Sequence, residues 1–230
     1  MRVRVRFFAR YREAAGQERL DLDLPEGGTV ETAWSAVIDR HPQLAQYRPY
    51  TLFAVGHEYV EPEHHLRAND ELCLFPPVSG GAGEATSAEG GDVFKVVEHP
   101  LSPDELAALV DDPAAGGIVV FSGVVRNETG GRPVKFLEYE AHAPMAEAKL
   151  REIGQAIRAR WAEVKRVAIL HRIGRLEIGE SSVLIAVSAA HRGDAFEACR
   201  YAIDTLKRTV PVWKKEHFED GEVWVGLQGG

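Results

Sequence analysis

A glycine-rich segment divides the 230-residue chain into two parts, each of which must form a core of its own. Residues 80–91 contain five glycines and no large apolar side chain. Such a composition is typical of a flexible linker, because it offers a packed core nothing to bury. We therefore predict a first domain at residues 1–81, a linker at residues 82–91 and a second domain at residues 92–230.

The first domain has the pattern of a small mixed sheet crossed by one helix. Residues 2–8 and 19–24 alternate apolar with charged side chains, as half-buried strands do. Thr29 has the side chain of a helix cap and precedes an apolar helical face. Residues 51–55 and 70–75 are two further short apolar strands. This order of elements in so short a chain predicts a β-grasp, ubiquitin-like fold.

The second domain mixes helical and strand patterns. Ser102, followed by Pro at the first helical position and Glu at the third, is a strong helix start. The pattern predicts helices beginning at Ser102, Pro144 and Asp194, and strands at residues 117–125, 134–140, 164–171 and 182–190. Together the two parts predict an α+β protein.

Composition excludes several classes of protein. Apolar residues make up 45% of the chain and charged residues 27%, which is ordinary globular usage and excludes a mainly disordered chain. No apolar run approaches the ~20 residues that span a bilayer, and the charged N-terminus does not resemble a signal peptide. The net charge of −8 argues against nucleic acid as the main partner. Cys73 and Cys199 lie in core-like segments, so we expect two buried free thiols and a cytoplasmic protein.

Lysine is scarce and unevenly placed. The chain has 20 Arg but only 7 Lys, and Lys207, Lys214 and Lys215 fall within nine positions. Lysine can lose its proton in a protein, whereas arginine cannot. This clustering suggests either chemistry that requires lysine or a solvated surface that carries lysine by chance.

Polar side chains follow predicted strands and helices at places where loops gather functional groups. Arg126, His191 and Arg192 end strands, and Lys207 lies near the end of the last helix. If these ends converge, they form a basic pocket for a small phosphorylated anion. Taken singly, Arg126 also fits a solvated loop charge, His191 a structural imidazole, and Lys207 a cation at a helix C-terminus. We expect no metal site, because the adjacent His64 and His65 lack a third ligand at metal-binding spacing.

Longer motifs in both domains point to one family. The tail Phe75-Pro76-Pro77-Val78-Ser79-Gly80-Gly81 resembles the small, MoaD-like sulfur-carrier subunit of molybdopterin synthase. The second domain resembles the large, MoaE-like catalytic subunit of the same enzyme. Its matching stretches begin at Phe121 (FSGVVRN), His171 (HRIG), Ala190 (AHR), Ala195 (AFEA), Asp204 (DTLK) and Pro211 (PVWKKE).

The resemblance implies a sulfurtransferase with an α/β hammerhead-type catalytic domain. Its substrate would be cyclic pyranopterin monophosphate, and a glycine thiocarboxylate on the carrier tail would supply the two sulfurs of the molybdopterin dithiolene. No bound cofactor is implied. An adenylating and sulfurating enzyme would load the tail, and the second domain would form a homodimer. The implied catalytic residues are Lys207 and Lys214, the substrate-binding residues are Phe121, Arg126, His191 and Arg192, and the carrier tail is Gly80 and Gly81.

Two features depart from the family pattern. Gly81 continues into Ala82 by a peptide bond, so it has no carboxylate to activate unless the chain is cut there or a separate carrier supplies the sulfur. The chain ends in a second pair, Gly229-Gly230, which lacks a proline stem and reads as a frayed tail. Where the family often has a basic residue reaching a neighbouring subunit, this chain offers Gln228.

Two other kinds of function fit parts of the pattern. The chain could be a non-catalytic fusion of a sulfur carrier with a pterin-binding scaffold, although the intact Lys207 and Lys214 argue against this. It could also be a structural interaction protein with a basic groove, which would need arginine but no paired lysines.

Overall fold

The computed structural model describes residues 1–76 and 91–225, and these form two compact units, one on each side of the linker. The predicted α+β class is confirmed. The predicted carrier glycines, most of the linker and the terminal Gly229-Gly230 lie outside the described residues, so the boundary after residue 81 stays a prediction.

The first unit is a five-stranded sheet in the order β2-β1-β5-β3-β4. The two central strands, β1 and β5, are parallel, and the other pairs are antiparallel. This is the predicted β-grasp arrangement. Its elements are β1 (Arg2–Phe7), α1 (Arg10–Ala15), β2 (Arg19–Asp23), α2 (Val30–Arg40), a 3₁₀ helix (Pro42–Tyr50), β3 (Leu52–Val55), β4 (Glu58–Val60) and β5 (Glu71–Phe75).

The alternating sequence of β1 explains how this unit forms its core. Val3, Val5 and Phe7 are fully buried, while the intervening arginines face outward. Helix α2 covers the apolar face of the sheet, and Trp34 stacks edge-on against Phe53 with ring centroids 5.7 Å apart. The helix α1, the strand β4 and the 3₁₀ helix were not predicted, because each is too short to show a periodic pattern.

The second unit is built on a four-stranded sheet in the order β6-β10-β12-β7. Helices α4 and α5 cover one face of this sheet, and α3 covers the other. Strand β6 runs parallel to β10, and the remaining pairs are antiparallel. The elements are β6 (Val93–Val97), α3 (Pro103–Leu109), β7 (Gly117–Val124), α4 (Ala143–Arg160), β10 (Val164–Arg172), β12 (Ser181–Ala189) and α5 (Arg192–Thr209).

A second sheet, in the order β11-β9-β13-β14 with a short strand β8 on β9, completes this unit. Its strands are β8 (Glu128–Thr129), β9 (Arg132–Ala141), β11 (Gly174–Glu177), β13 (Val212–Phe218) and β14 (Gly221–Val225). Of these strands only β9 was predicted, and the segment after Pro211, to which the sequence pattern assigned no element, forms β13.

The start of α5 and the two cysteines can be compared with the predictions. Helix α5 begins at Arg192, two residues before the predicted Asp194, and His191 precedes its first turn without a capping side-chain hydrogen bond. Cys73 and Cys199 are free and buried, as predicted. No helix within the described residues is long and apolar enough to cross a membrane.

A buried histidine lies where the two sheets of the second unit meet. The ring of His171, at the end of β10, packs edge-on against Tyr139 of β9 with centroids 5.3 Å apart. Its Nδ1–H donates to the carbonyl of Arg172 at 2.9 Å. Burial lowers the pKa of His171 to about 4, and the hydrogen bond to Arg172 opposes this shift only in part.

The depressed pKa of His171 predicts a loss of stability in acid. Between its ordinary pKa of 6.5 and its folded value of about 4, the unfolded chain binds a proton that the folded chain does not. The free energy of unfolding should therefore fall by about 3 kcal/mol as pH falls through this window. Urea unfolding of the full chain across this range should show a flatter pH dependence in His171→Gln than in wild type. Equal slopes in the two proteins would contradict the assignment.

Candidate functional site

Lys214 lies on β13 and is held by a buried carboxylate two residues further along the same strand. Residues two apart on a strand share a face, and Lys214 Nζ lies 2.8 Å from Glu216 Oε1. The Glu216 side chain is only 3% exposed, whereas that of Lys214 is 29% exposed. A buried carboxylate needs a charged or hydrogen-bonding partner, so this ion pair fixes the lysine at the rim of the domain.

The segment after β7 reaches the same carboxylate. The hydroxyl of Thr129, in β8, donates to Glu216 Oε1 at 3.2 Å. Arg126 lies three residues before Thr129, directly ahead of the β8–β9 hairpin, which a hydrogen bond from the Val134 amide to the Asn127 carbonyl closes at 2.9 Å. The predicted binding residue Arg126 and the predicted catalytic residue Lys214 therefore belong to one connected structure.

Helix α5 brings Lys207 toward the same end of the sheet. A side chain at Gly117, the first residue of β7, would lie 3.7 Å from Cα of Arg192 at the start of α5. Cys199, midway along α5, is hydrogen-bonded to the backbone of Phe121 in the middle of β7. The helix therefore runs alongside β7 in the same direction, and its last turn, with the exposed Lys207, lies beside the end of β7.

Phe121 occupies the middle of this arrangement. Its half-buried ring packs against the apolar cluster that α5 forms with the sheet. The neighbouring Cys199 is not a reactive thiol, because burial raises its pKa to about 11.

His191 and Arg192 lie at the opposite end of β7. Ala189, the last residue of β12, pairs with Gly117, while Val124 pairs with Ser181 at the start of β12. Nine residues of extended chain separate Gly117 from Arg126, a distance of about 30 Å. A single basic pocket would require these strand ends to converge. Within a single chain, the structure instead separates Arg126, Lys207 and Lys214 from His191 and Arg192.

Four of the predicted site residues are available to bind an anion. Within residues 1–76 and 91–225, no carboxylate pairs with Arg126, Lys207, His191 or Arg192, and the side chains of all four are exposed. In an acidic protein, such unpaired positive charge suits a phosphorylated ligand.

Sequence reasoning missed Glu216 and Thr129. Glu216 lies in the motif PVWKKE, but the sequence assigns it no role, because the pattern does not predict the strand that places it beside Lys214. The spacing of Lys214 and Glu216 was the available signal, since side chains two apart meet only if the segment is extended. Thr129 carried no signal at all.

Comparison with known proteins gives two family matches. The MoaE protein family matches residues 96–209, and the ThiS family matches residues 5–81. The first match covers all the proposed site residues of the second unit except Lys214, which lies five residues beyond it.

Individual relatives match the second unit. A molybdopterin synthase catalytic subunit from a Nostoc species is 53% identical over 137 residues, which cover 59% of this chain and 83% of the relative. The human protein of the same name is 47% identical, covering 59% of this chain and 71% of the relative. A crystal structure of molybdopterin synthase from Staphylococcus aureus is 45% identical, with a TM-score of 0.56, covering 58% of this chain and 96% of that chain.

Proposed function

Because the chain belongs to the MoaE protein family and carries a ThiS-family domain ahead of it, we propose that it is a molybdopterin synthase with its sulfur carrier in the same chain. The family places it as an enzyme of molybdopterin biosynthesis. The proposed reaction moves sulfur from a C-terminal glycine thiocarboxylate to cyclic pyranopterin monophosphate, twice, to form the dithiolene. The observation that carries the proposal is the grouping of Lys207, Lys214 and Arg126 at one end of β7.

The proposed roles follow from the chemistry of the side chains. Sulfur transfer from a thiocarboxylate passes through tetrahedral species that need proton transfer and stabilisation of negative charge. Lys207 and Lys214 can supply both, and the pair with Glu216 gives the Lys214 ammonium a fixed place. Arg126, His191 and Arg192 would bind the phosphate and the pterin, and Phe121 would line the pocket.

We propose a homodimer in which two copies of β7 pair with each other. Within the described residues, β7 is an edge strand, with β12 on one side and nothing on the other. Its alternate side chains Ile118, Val120 and Val124, which project from one face of the strand, are between 37% and 52% exposed. The unpaired backbone of an edge strand is a template for pairing with another chain, and two-fold pairs of identical subunits are the commonest assembly.

Such a dimer would complete the site. In an antiparallel pair of β7 strands, the Arg126 end of one copy lies beside the Gly117 end of the other, next to Arg192. Each site would then combine Arg126, Lys207 and Lys214 of one subunit with His191 and Arg192 of its partner. The proposed dimer would thus account both for the unpaired edge of β7 and for the distance between the two groups of binding residues within one chain.

The carrier part of the proposal requires a free carboxylate at Gly81. In the intact chain this residue is in peptide linkage to Ala82 and cannot be adenylated. We propose that cleavage after Gly81 releases an activatable tail, or that a separate carrier serves the catalytic unit. The rival proposal, a fusion that only carries sulfur and binds pterin, differs by predicting no sulfur transfer from a loaded carrier.

Both lysines should be essential for sulfur transfer. Lys207→Ala and Lys214→Ala should each lower the transfer rate by about 10²- to 10⁴-fold, the usual contribution of a positioned acid or base. Lys207→Arg should also fail, because arginine keeps the charge but cannot exchange a proton. Single-turnover transfer from a thiocarboxylated carrier measures this, with circular dichroism to confirm folding. Full activity of Lys207→Arg would show that charge alone suffices.

The three remaining polar residues of the proposed site should act in substrate binding. Arg126→Ala, His191→Ala and Arg192→Ala each remove a charged hydrogen bond worth about 1.5–3 kcal/mol, so pterin affinity should fall about ten- to a hundredfold. Calorimetric titration with the cyclic pyranopterin measures the effect. Unchanged affinity in all three variants would remove the argument for an anion site.

Mixing two inactive variants tests the shared site. In a heterodimer of Lys214→Ala with His191→Ala, one site carries both substitutions and the other carries neither. Random exchange between equal amounts should therefore restore about one quarter of wild-type activity, assayed at low pterin concentration. If each site comes from a single chain, the mixture should show only the mean of the two variants. Val120→Asp, which places a charge on the exposed apolar face of β7, should yield monomers in sedimentation and abolish this restoration.

A further inference from the structure

Glu216 is the only buried link between the β8 hairpin and Lys214 that the described contacts provide. Its Oε1 atom receives both the Lys214 ammonium, at 2.8 Å, and the Thr129 hydroxyl, at 3.2 Å. The Glu216 side chain is only 3% exposed, so water does not readily replace a lost donor. Removing either hydrogen-bond donor is therefore costly. The Thr129 hydroxyl is therefore a second donor to the carboxylate oxygen that binds Lys214.

The hairpin holds Thr129 rigidly. Gly130 and Gly131 form its two-residue turn with φ values of 57° and 79°, a left-handed conformation that glycine adopts without strain. Thr129 pairs with Arg132 directly across this turn. The hydroxyl is thus carried by a fixed backbone, unlike the ammonium of Lys214, which ends a stem with four rotatable bonds.

We propose that Thr129 is a positioning residue for sulfur transfer, which acts by holding Glu216 and, through it, the Lys214 ammonium. The inference rests on the proposed function, since it assigns Lys214 to the chemistry. Thr129 does not touch substrate in this account. It fixes the position of the Lys214 amine relative to the thiocarboxylate and the pterin. A displaced amine lowers the rate of the chemical step without weakening substrate binding.

The first readout needs no catalysis. In the full-length chain, acetylation of Lys214 by a small acylating reagent, quantified by peptide mass spectrometry, reports how firmly its amine is held. Thr129→Val, which keeps the shape of the side chain but removes the hydroxyl, should speed acetylation of Lys214 several-fold. Thr129→Ser, which restores a hydroxyl, should return it to the wild-type rate.

The second readout is the transfer reaction with a separately prepared thiocarboxylated carrier. Thr129→Val should lower kcat about 3- to 10-fold with KM for the pterin unchanged, and Thr129→Ser should recover it. In a Lys214→Ala background, Thr129→Val should have no further effect, because the two residues act as one unit. Ser102→Ala is the matched control: it removes a hydroxyl that caps α3 at 3.3 Å, on a helix that packs against β7 and β12 and not on the β8 hairpin or β13, and it should change neither readout.

The outcomes separate the two proposals. Unchanged acetylation of Lys214 in Thr129→Val overturns the positioning role, whether or not the enzyme makes a dithiolene. A rise in KM in place of a fall in kcat, or an additive effect in the Lys214→Ala background, also overturns it. If Thr129→Val is acetylated faster but the wild-type chain transfers no sulfur, the result supports the role of Thr129 in holding Lys214. The same result refutes the proposed function.

Discussion

The antiparallel pairing of β7 with β12 determines where the functional side chains of the second unit can lie. Its register places Gly117 opposite Ala189 and Val124 opposite Ser181. The turn after β12 therefore delivers His191 and Arg192 to one end of the strand pair, and the segment after β7 delivers Arg126 to the other. Helix α5 then packs back along the sheet and carries Lys207 to the Arg126 end. The second sheet adds Lys214, which β13 places beside Glu216.

Within the described residues, β7 pairs with β12 on one side only, so its other edge is unpaired. A strand of apolar residues with an unpaired edge is a liability in a monomer. In the proposed homodimer this edge would pair two copies, and the antiparallel direction of the pair would place each Arg126 beside the partner's Arg192. The proposed dimer would thus account for binding residues that lie far apart within one chain.

Much of the fold could be predicted because the sequence is locally consistent. The alternation of β1 and the cap at Ser102 both led to elements that the structure contains, and the Ser102 hydroxyl accepts from the Glu105 amide as the pattern requires. Strand β13 was missed because Lys214, Lys215 and Glu216 interrupt any apolar alternation. Those charges are tolerated in a strand only because cross-strand and same-face partners neutralise them, and such partners are set by tertiary structure.

The site was harder to predict than the fold for a related reason. Motifs identified Arg126, His191 and Lys207 as candidates, but strand register decides which of them meet, and register is not readable from a motif. The contact between Thr129 and Glu216 joins residues 87 positions apart through a hairpin that had no periodic signal.

The fusion of carrier and catalyst makes one measurement decisive. A full-length chain with Gly81 replaced so that it resists cleavage should be assayed for dithiolene formation, with and without a separately thiocarboxylated carrier. The account predicts product only when the separate carrier is present, because the catalytic unit is competent while its own tail has no free carboxylate. Product from the uncut chain alone would contradict the proposed sulfur source, and no product even with the loaded carrier would contradict the proposed function.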